Sequence, residues 1–265
     1  MFGIKQRLPG FERHATATRR ADGGTRPIVG GTIFVKLPGM AISLFRRKRE
    51  GGIQTRTDLL NHLIATKGYQ RYLEIGVRDP RQNFEKVKLT EKHSVDPNPR
   101  RPVTHRMTSD DFFARRRNDG LMPPYDLAFI DGLHLAEQVE RDVVNCMENL
   151  TPAGTIVLHD CNPLTADAQT DDYDGKKHWN GTVWKAWVKL RATRPDLSMW
   201  VVDIDEGCGV IRRGGQRLLP LPSLNYEAMG FDFLATNRRE ALNLVSLNQF
   251  LEAMAAENGA APRIS

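Results

Sequence analysis

Cysteine is scarce in this chain of 265 residues: Cys146, Cys161 and Cys208 are the only three, and no two form a CxxC pair. An odd, scattered set of thiols suggests neither a disulfide framework nor a cysteine zinc site, and it suits a reducing cytoplasm. Long apolar runs are missing too. No stretch approaches the ~20 residues needed to span a bilayer, and the first ten residues lack the apolar core of a secretory signal. The expectation is a soluble, cytoplasmic protein. A third absence concerns phosphates: the first strand-like run is not followed by G-x-G-x-x-G, because Gly76 leads into Val77, Arg78, Asp79 and Pro80. Without that pyrophosphate cradle, a dinucleotide-binding dehydrogenase is disfavoured.

What is present starts with charge. The formal balance of +6 is local, since residues 1–50 carry +8 and the rest of the chain −2. Basicity confined to an arm does not call for a nucleic-acid partner. Residues 1–52 are rich in Gly, Arg, Thr and Pro and read as a flexible basic arm. Within them an apolar stretch runs into Arg46-Arg47-Lys48-Arg49, a composition that allows weak contact with an anionic membrane surface or a partner subunit. A homo-oligomer is compatible with this. Residues 53–215 are expected to form one α/β domain and residues 216–265 a helical extension packed on it.

The domain is punctuated by apolar runs that end in polar clusters. RYLEIGVRDP closes at Glu74 and Gly76, KHSVDP at Asp96, YDLAFIDGLH at Asp131 and His134, and GTIVLHDCNP at His159 and Asp160. Acids at the carboxyl ends of parallel strands define a site. Between the runs, helical spacing predicts helices over 55–70 (Leu59, Leu60, Leu63, Ile64), 135–150 (Leu135, Val139, Val143, Met147, Leu150) and 182–194 (Val183, Trp184, Trp187, Leu190). A further strand is expected at 103–107, followed by a helix capped by Ser109 or Asp110. Two closing strands, 197–204 and 209–212, flank the Asp205-Glu206-Gly207 turn as an antiparallel hairpin, and 240–255 reads as a C-terminal helix. An acid within the first strand and another about 20 residues on, at the end of the second, suit a nucleoside that lacks phosphates. His159 reads as a core histidine, the Trp184 and Trp187 pair as helix core, and Cys161 as inert.

In order, YLEIGV, SVDP, Thr108-Ser109-Asp110, FIDGLH-x-x-EQV-x-x-DV, TIVLHDCNP, GTVWKAW and CGVIRR resemble the class I S-adenosylmethionine-dependent methyltransferases. Within that class they are similar to the branch of cephalosporin-hydroxylase-like proteins and glycan-cluster methyltransferases. The resemblance implies a Rossmann-like, seven-stranded, mostly parallel sheet with helices on both faces and an antiparallel edge strand. It also implies that Glu74 and Gly76 meet the methionine part of S-adenosylmethionine, that Asp96 holds the ribose, and that Ser109 or Asp110 meets the adenine edge, with Asp131 closing the cofactor site.

Similarity extends to the catechol-type O-methyltransferases, and on that pattern Mg2+ would be held by Asp131 and Asp160. Asn162 would complete the set, because the thiol of Cys161 is a poor ligand for a hard cation. In the position of that family's lysine base stands His134, which suits it for taking a hydroxyl proton, with Glu137 one turn later to orient the ring. The activity so implied is O-methylation of a small molecule or sugar, with His134, Asp131 and Asp160 as the catalytic group. The rival readings are a cofactor-binding module without transfer activity in a glycan-modifying complex, and an NAD-dependent dehydrogenase.

Overall fold

The computed structural model describes residues 52–120, 122–173, 178–221, 225–226 and 228–260. All but one residue of the basic arm lies outside them.

Thr55 caps the first helix, α1 (Arg56–Lys67), in a reciprocal box with Asp58, and Gly68 closes it in the left-handed conformation. The chain then enters β1 (Arg71–Ile75), passes a 3-10 turn at Phe84–Lys86, and pairs β2 (Glu91–Val95) parallel to β1. The strand expected at 103–107 shrinks to a single bridge, Val95 to His105. Pro97, Pro99 and Pro102 crowd its approach, and proline removes the amides a longer ladder needs. α2 (Ser109–Asn118) follows, capped by Thr108, whose hydroxyl accepts from the Asp111 amide.

Next come β3 (Tyr125–Ile130), α3 (Ala136–Glu148) and β4 (Leu150–Leu158), the expected strand, helix, strand unit. α4 (Val183–Thr193), β5 (Leu197–Val202) and β6 (Cys208–Arg213) complete the main sheet. The sequence expected one helix over 240–255. Instead α5 (Phe231–Leu242) ends at Asn243 in the left-handed region, β7 (Leu244–Val245) pairs parallel to β5, and α6 (Leu247–Ala260) resumes.

The seven strands run β2-β1-β3-β4-β6-β5-β7. β6 is antiparallel to both β4 and β5, and all other pairs are parallel. The antiparallel strand therefore stands near one edge of the sheet, with β5 and β7 beyond it. Period-two alternation divides the core between the two faces. Leu73, Ile75, Ala128, Ile130, Ile156 and Leu158 pack with α2, α3, α4 and α5. Leu127, Phe129, Val157 and Tyr72 pack with α1 and α6.

Trp184 and Trp187 are fully buried core, as read from the sequence, and the Trp187 indole donates to the Leu242 carbonyl at 3.0 Å. Gly209 in β6 gives that ring its room, since a Cβ there would lie 2.4 Å from it. Among the described residues no helix is long and apolar enough to cross a membrane.

Candidate functional site

The carboxyl ends of β1, β2, β3 and β4 open into one cavity of about 720 Å³. Every strand-end acid singled out in the sequence lines it: Glu74, Asp96, Asp131 and Asp160. Gly76, Ser109, Asp110 and His134 do so too.

On the β1 and β2 side the walls are two fixed carboxylates. Glu74 is buried, and its Oε2 accepts from the Tyr72 hydroxyl at 2.6 Å and the Asn83 amide at 2.9 Å. Burial pushes its pKa up to about 7 against the pull of these two donors. Asp96 is locked by backbone amides: Arg78 donates to Oδ2 and Asn98 to Oδ1, each at 2.7 Å. A carboxylate oxygen has two lone pairs, so each keeps acceptor capacity toward the cavity. Gly76 takes a φ of 81°, a conformation that suits glycine, and its amide donates to the Val95 carbonyl.

Ser109 and Asp110, at the start of α2, are joined to α3 by Gln138, which donates to both and to Asp142. Asp142 is buried behind them, and that burial raises its pKa to about 6. Fixed acids, an open glycine loop and a cavity of this size fit a nucleoside with an amino-acid tail.

The β3 and β4 side is a charge cluster. His134 Nε2 lies 3.2 Å from Asp131 Oδ1 and 3.5 Å from Asp160 Oδ2. His159 Nδ1 faces the same two oxygens, at 3.4 Å and 2.9 Å. Arg56, the first residue of α1, brings its guanidinium 3.5 Å from Asp131 Oδ2, and its backbone amide donates 2.8 Å to Asp205 Oδ2 in the β5–β6 turn. Burial acts to discharge Arg56, Asp131, His134, His159 and Asp205, and their partners overcome it. The Asp131 carboxyl is held well below the usual range by the two imidazoles, while its charge and that of Asp160 raise both histidines.

Asp160 sits at φ 60°, a left-handed conformation costing ~1–3 kcal/mol in a non-glycine residue. Amides on either side hold it there: His159 donates to the Ile130 carbonyl and Cys161 to the Gly207 carbonyl.

Two assignments change in the fold. Asn162, expected as the third metal ligand, turns its amide to Asp203 and Arg238 and is not with Asp131 and Asp160. His134 takes that place, since its donor atom and those of Asp131 and Asp160 lie within 4.8 Å of one another. Glu137 is exposed, and the His134 ring is set instead by Asp131, the Trp179 carbonyl at 3.3 Å and stacking on the Trp179 ring.

Sequence reasoning also missed Arg56, Asp205, Asn83 and Asn180, and took His159 for a core residue. Asn180 is wholly buried, donates to Asp160 Oδ1 at 2.7 Å, and leaves its own oxygen without a partner among the described residues. Asp131, His134 and Asp160 together offer two carboxylates and an imidazole nitrogen, a donor set chemically suited to a divalent cation.

The family described as a methyltransferase domain matches residues 53–161, the segment from α1 to the end of β4. No protein of curated function matches the chain in sequence. Among solved structures, a methyltransferase of Podospora anserina bound to S-adenosylhomocysteine is similar at 16% identity, over 60% of this chain and 77% of that one, with a TM-score of 0.44. An O-methyltransferase of Bacillus cereus, also with S-adenosylhomocysteine, is similar at 14% identity over 58% and 77%, with a TM-score of 0.38. One of Streptomyces achromogenes, involved in tomaymycin synthesis, gives 14% over 59% and 78%, with a TM-score of 0.39. Residues 53–161 thus match the methyltransferase-domain family, and they lie in a Rossmann-like sheet of seven strands.

Proposed function

We propose that the chain transfers the methyl group of S-adenosylmethionine to a hydroxyl of a small molecule or sugar. The observation that carries this reading is that one cavity holds both halves of the task. Glu74, Gly76, Asp96, Ser109 and Asp110 line its cofactor side, and Asp131, His134, His159 and Asp160 line the side where an acceptor hydroxyl would lie. The glycan-cluster branch of the resemblance supports a sugar or a sugar-bearing metabolite as acceptor.

In this reading Asp96 takes the ribose hydroxyls, and Glu74 the ammonium of the methionine part, which favours the ionised carboxylate. Asp131, at the junction of the two sides, keeps the acceptor oxygen in line with the sulfonium methyl. Orientation of this kind is worth up to ~7–11 kcal/mol.

Asp131 and Asp160 disfavour an alkoxide beside them unless cations face them. Arg56 and the His159 imidazolium supply two. A divalent cation held by Asp131, His134 and Asp160 would lower the hydroxyl's pKa and favour its anionic form. Both His134 ring nitrogens are engaged, which supports a holding role for it over that of a free base.

The test is transfer of labelled methyl from S-adenosylmethionine to a panel of sugars, phenols and hydroxylated metabolites, with and without added divalent ions. Transfer to a hydroxyl is the expected result. Tight S-adenosylhomocysteine binding with no transfer to any acceptor would instead favour the non-catalytic module.

A further inference from the structure

We propose that a second cavity, at the opposite end of the sheet from the candidate site, binds a small organic anion: one carboxylate or phosphate group on a compact apolar body. The proposal goes beyond the methyltransferase reading and does not depend on it.

The cavity has a volume of about 330 Å³, at the small end of the range for ligand pockets. It lies where the last turn of α4 and the end of α5 meet the first half of β5 and the segment after β6. β5 is antiparallel to β6, which is antiparallel to β4, so β5 runs the same way as β4. Ser198 and Met199, near the start of β5, therefore stand at the amino ends of the parallel strands, whereas Asp131 and Asp160 follow the carboxyl ends of β3 and β4.

Arg191 carries the inference. It lines the cavity from α4 and is only 8% exposed. Its Nη1 donates to Gln216 Oε1 at 2.8 Å and its Nη2 to the Glu240 carbonyl at 3.3 Å, both neutral oxygens. Its Nε–H is buried with no acceptor among the described residues. Glu240, the acid in the lining, has its carboxylate 3.8 Å from Arg217 instead, and no carboxylate pairs with Arg191 among the described residues. Burial pushes the Arg191 pKa down further than Glu240 pulls it up, yet a guanidinium does not give up its proton in a protein. A buried charge of this kind calls for a counter-anion.

The rest of the lining states what kind. Arg191 and Arg217 against Glu240 leave one positive charge uncompensated. Met199, Trp200, Leu219 and Pro220 supply an apolar wall. The Nε–H and the unused Nη hydrogens are what a carboxylate or phosphate accepts, while its body lies on that wall.

Calorimetric titration of the full chain with benzoate, phenyl phosphate and neutral benzamide tests this, each with and without S-adenosylhomocysteine. One equivalent of either acid should bind, at least about tenfold more tightly than benzamide, which cannot form the charge-assisted pair. The tighter acid names the head group. Arg191→Gln should lower its affinity by at least about tenfold. Arg217→Gln, at an exposed position, should lower it by about threefold and decides the matter should Arg191→Gln not fold. S-adenosylhomocysteine should not displace the acid. No binding of either acid at millimolar concentration, equal affinity for benzamide, displacement by S-adenosylhomocysteine, or unchanged affinity in the variants would each overturn the proposal, and would leave Arg191 a tie between α5 and the segment after β6.

Discussion

The α-carbon of Gly76 lies against the backbone of Asp131, so closely that a β-carbon on Gly76 would fall 2.2 Å from the Asp131 carbonyl oxygen. The loop after β1 and the acid that ends β3 are thereby fixed to each other by main chain alone. Gly76→Ala meets two penalties, about 1–2 kcal/mol for a β-carbon in the left-handed region and about 1–3 kcal/mol for the overlap. Urea unfolding should show a loss of at least ~2 kcal/mol, with S-adenosylhomocysteine binding abolished. A variant that unfolds and binds like the wild type would remove Gly76 from the site.

Glu74 gives stability a pH dependence of defined sign. Its folded pKa, about 7, exceeds the ordinary 4.5, so the folded chain binds this proton more tightly than the unfolded chain. The contribution is fully present below pH 4.5 and is lost as pH rises toward 7, by roughly 3 kcal/mol at 1.36 per unit. Glu74→Gln should flatten urea midpoints across that window and exceed the wild type in stability at pH 8. Its affinity for S-adenosylhomocysteine should nevertheless fall, because the ligand's ammonium loses its counter-charge. Parallel midpoint curves for the two proteins would refute the assignment.

Asp96→Ala removes the acceptor for two loop amides and for the ribose together. A saturating ligand at 100 times its dissociation constant adds about 2.7 kcal/mol to stability, which thermal unfolding resolves easily. In the wild type S-adenosylhomocysteine should raise the melting temperature and NAD should not. In Asp96→Ala most of that rise should vanish. A full shift in the variant would move the ribose elsewhere.

All three thiols should be silent in the folded protein. Cys146, Cys161 and Cys208 are at most 1% exposed, and burial pushes each thiol up, Cys208 to about 12. A chromogenic disulfide reagent should label none within minutes at neutral pH and all three after denaturation. Fast labelling of one native thiol would show that its site opens.

Much of the candidate site could be read from the sequence, because Glu74, Asp96, Asp131 and Asp160 each interrupt an apolar run at or near the end of a buried strand. Local spacing carried that signal. It could not carry Arg56 and Asp205, which stand 149 residues apart and meet only when α1 and the β5–β6 turn reach the same end of the sheet. Nor could it choose between Asn162 and His134. The left-handed turn at Asp160 and the Gly207 contact send Asn162 away, and both depend on β6 lying beside β4. β7 was hidden for another reason: two residues inside a helical pattern become a strand only because β5 offers them an edge.

The placement of β6 also sets when the site can exist. β1, β3 and β4 join through crossovers, and their strand ends can gather Asp131 and Asp160 early. The β5–β6 hairpin must insert β6 beside β4 before Asp205 reaches Arg56, and contacts of such long range close slowly. Refolding chains should therefore regain helical signal before the Asp205–Arg56 contact closes. Recovery of methyl transfer during refolding would then time the last step of assembly.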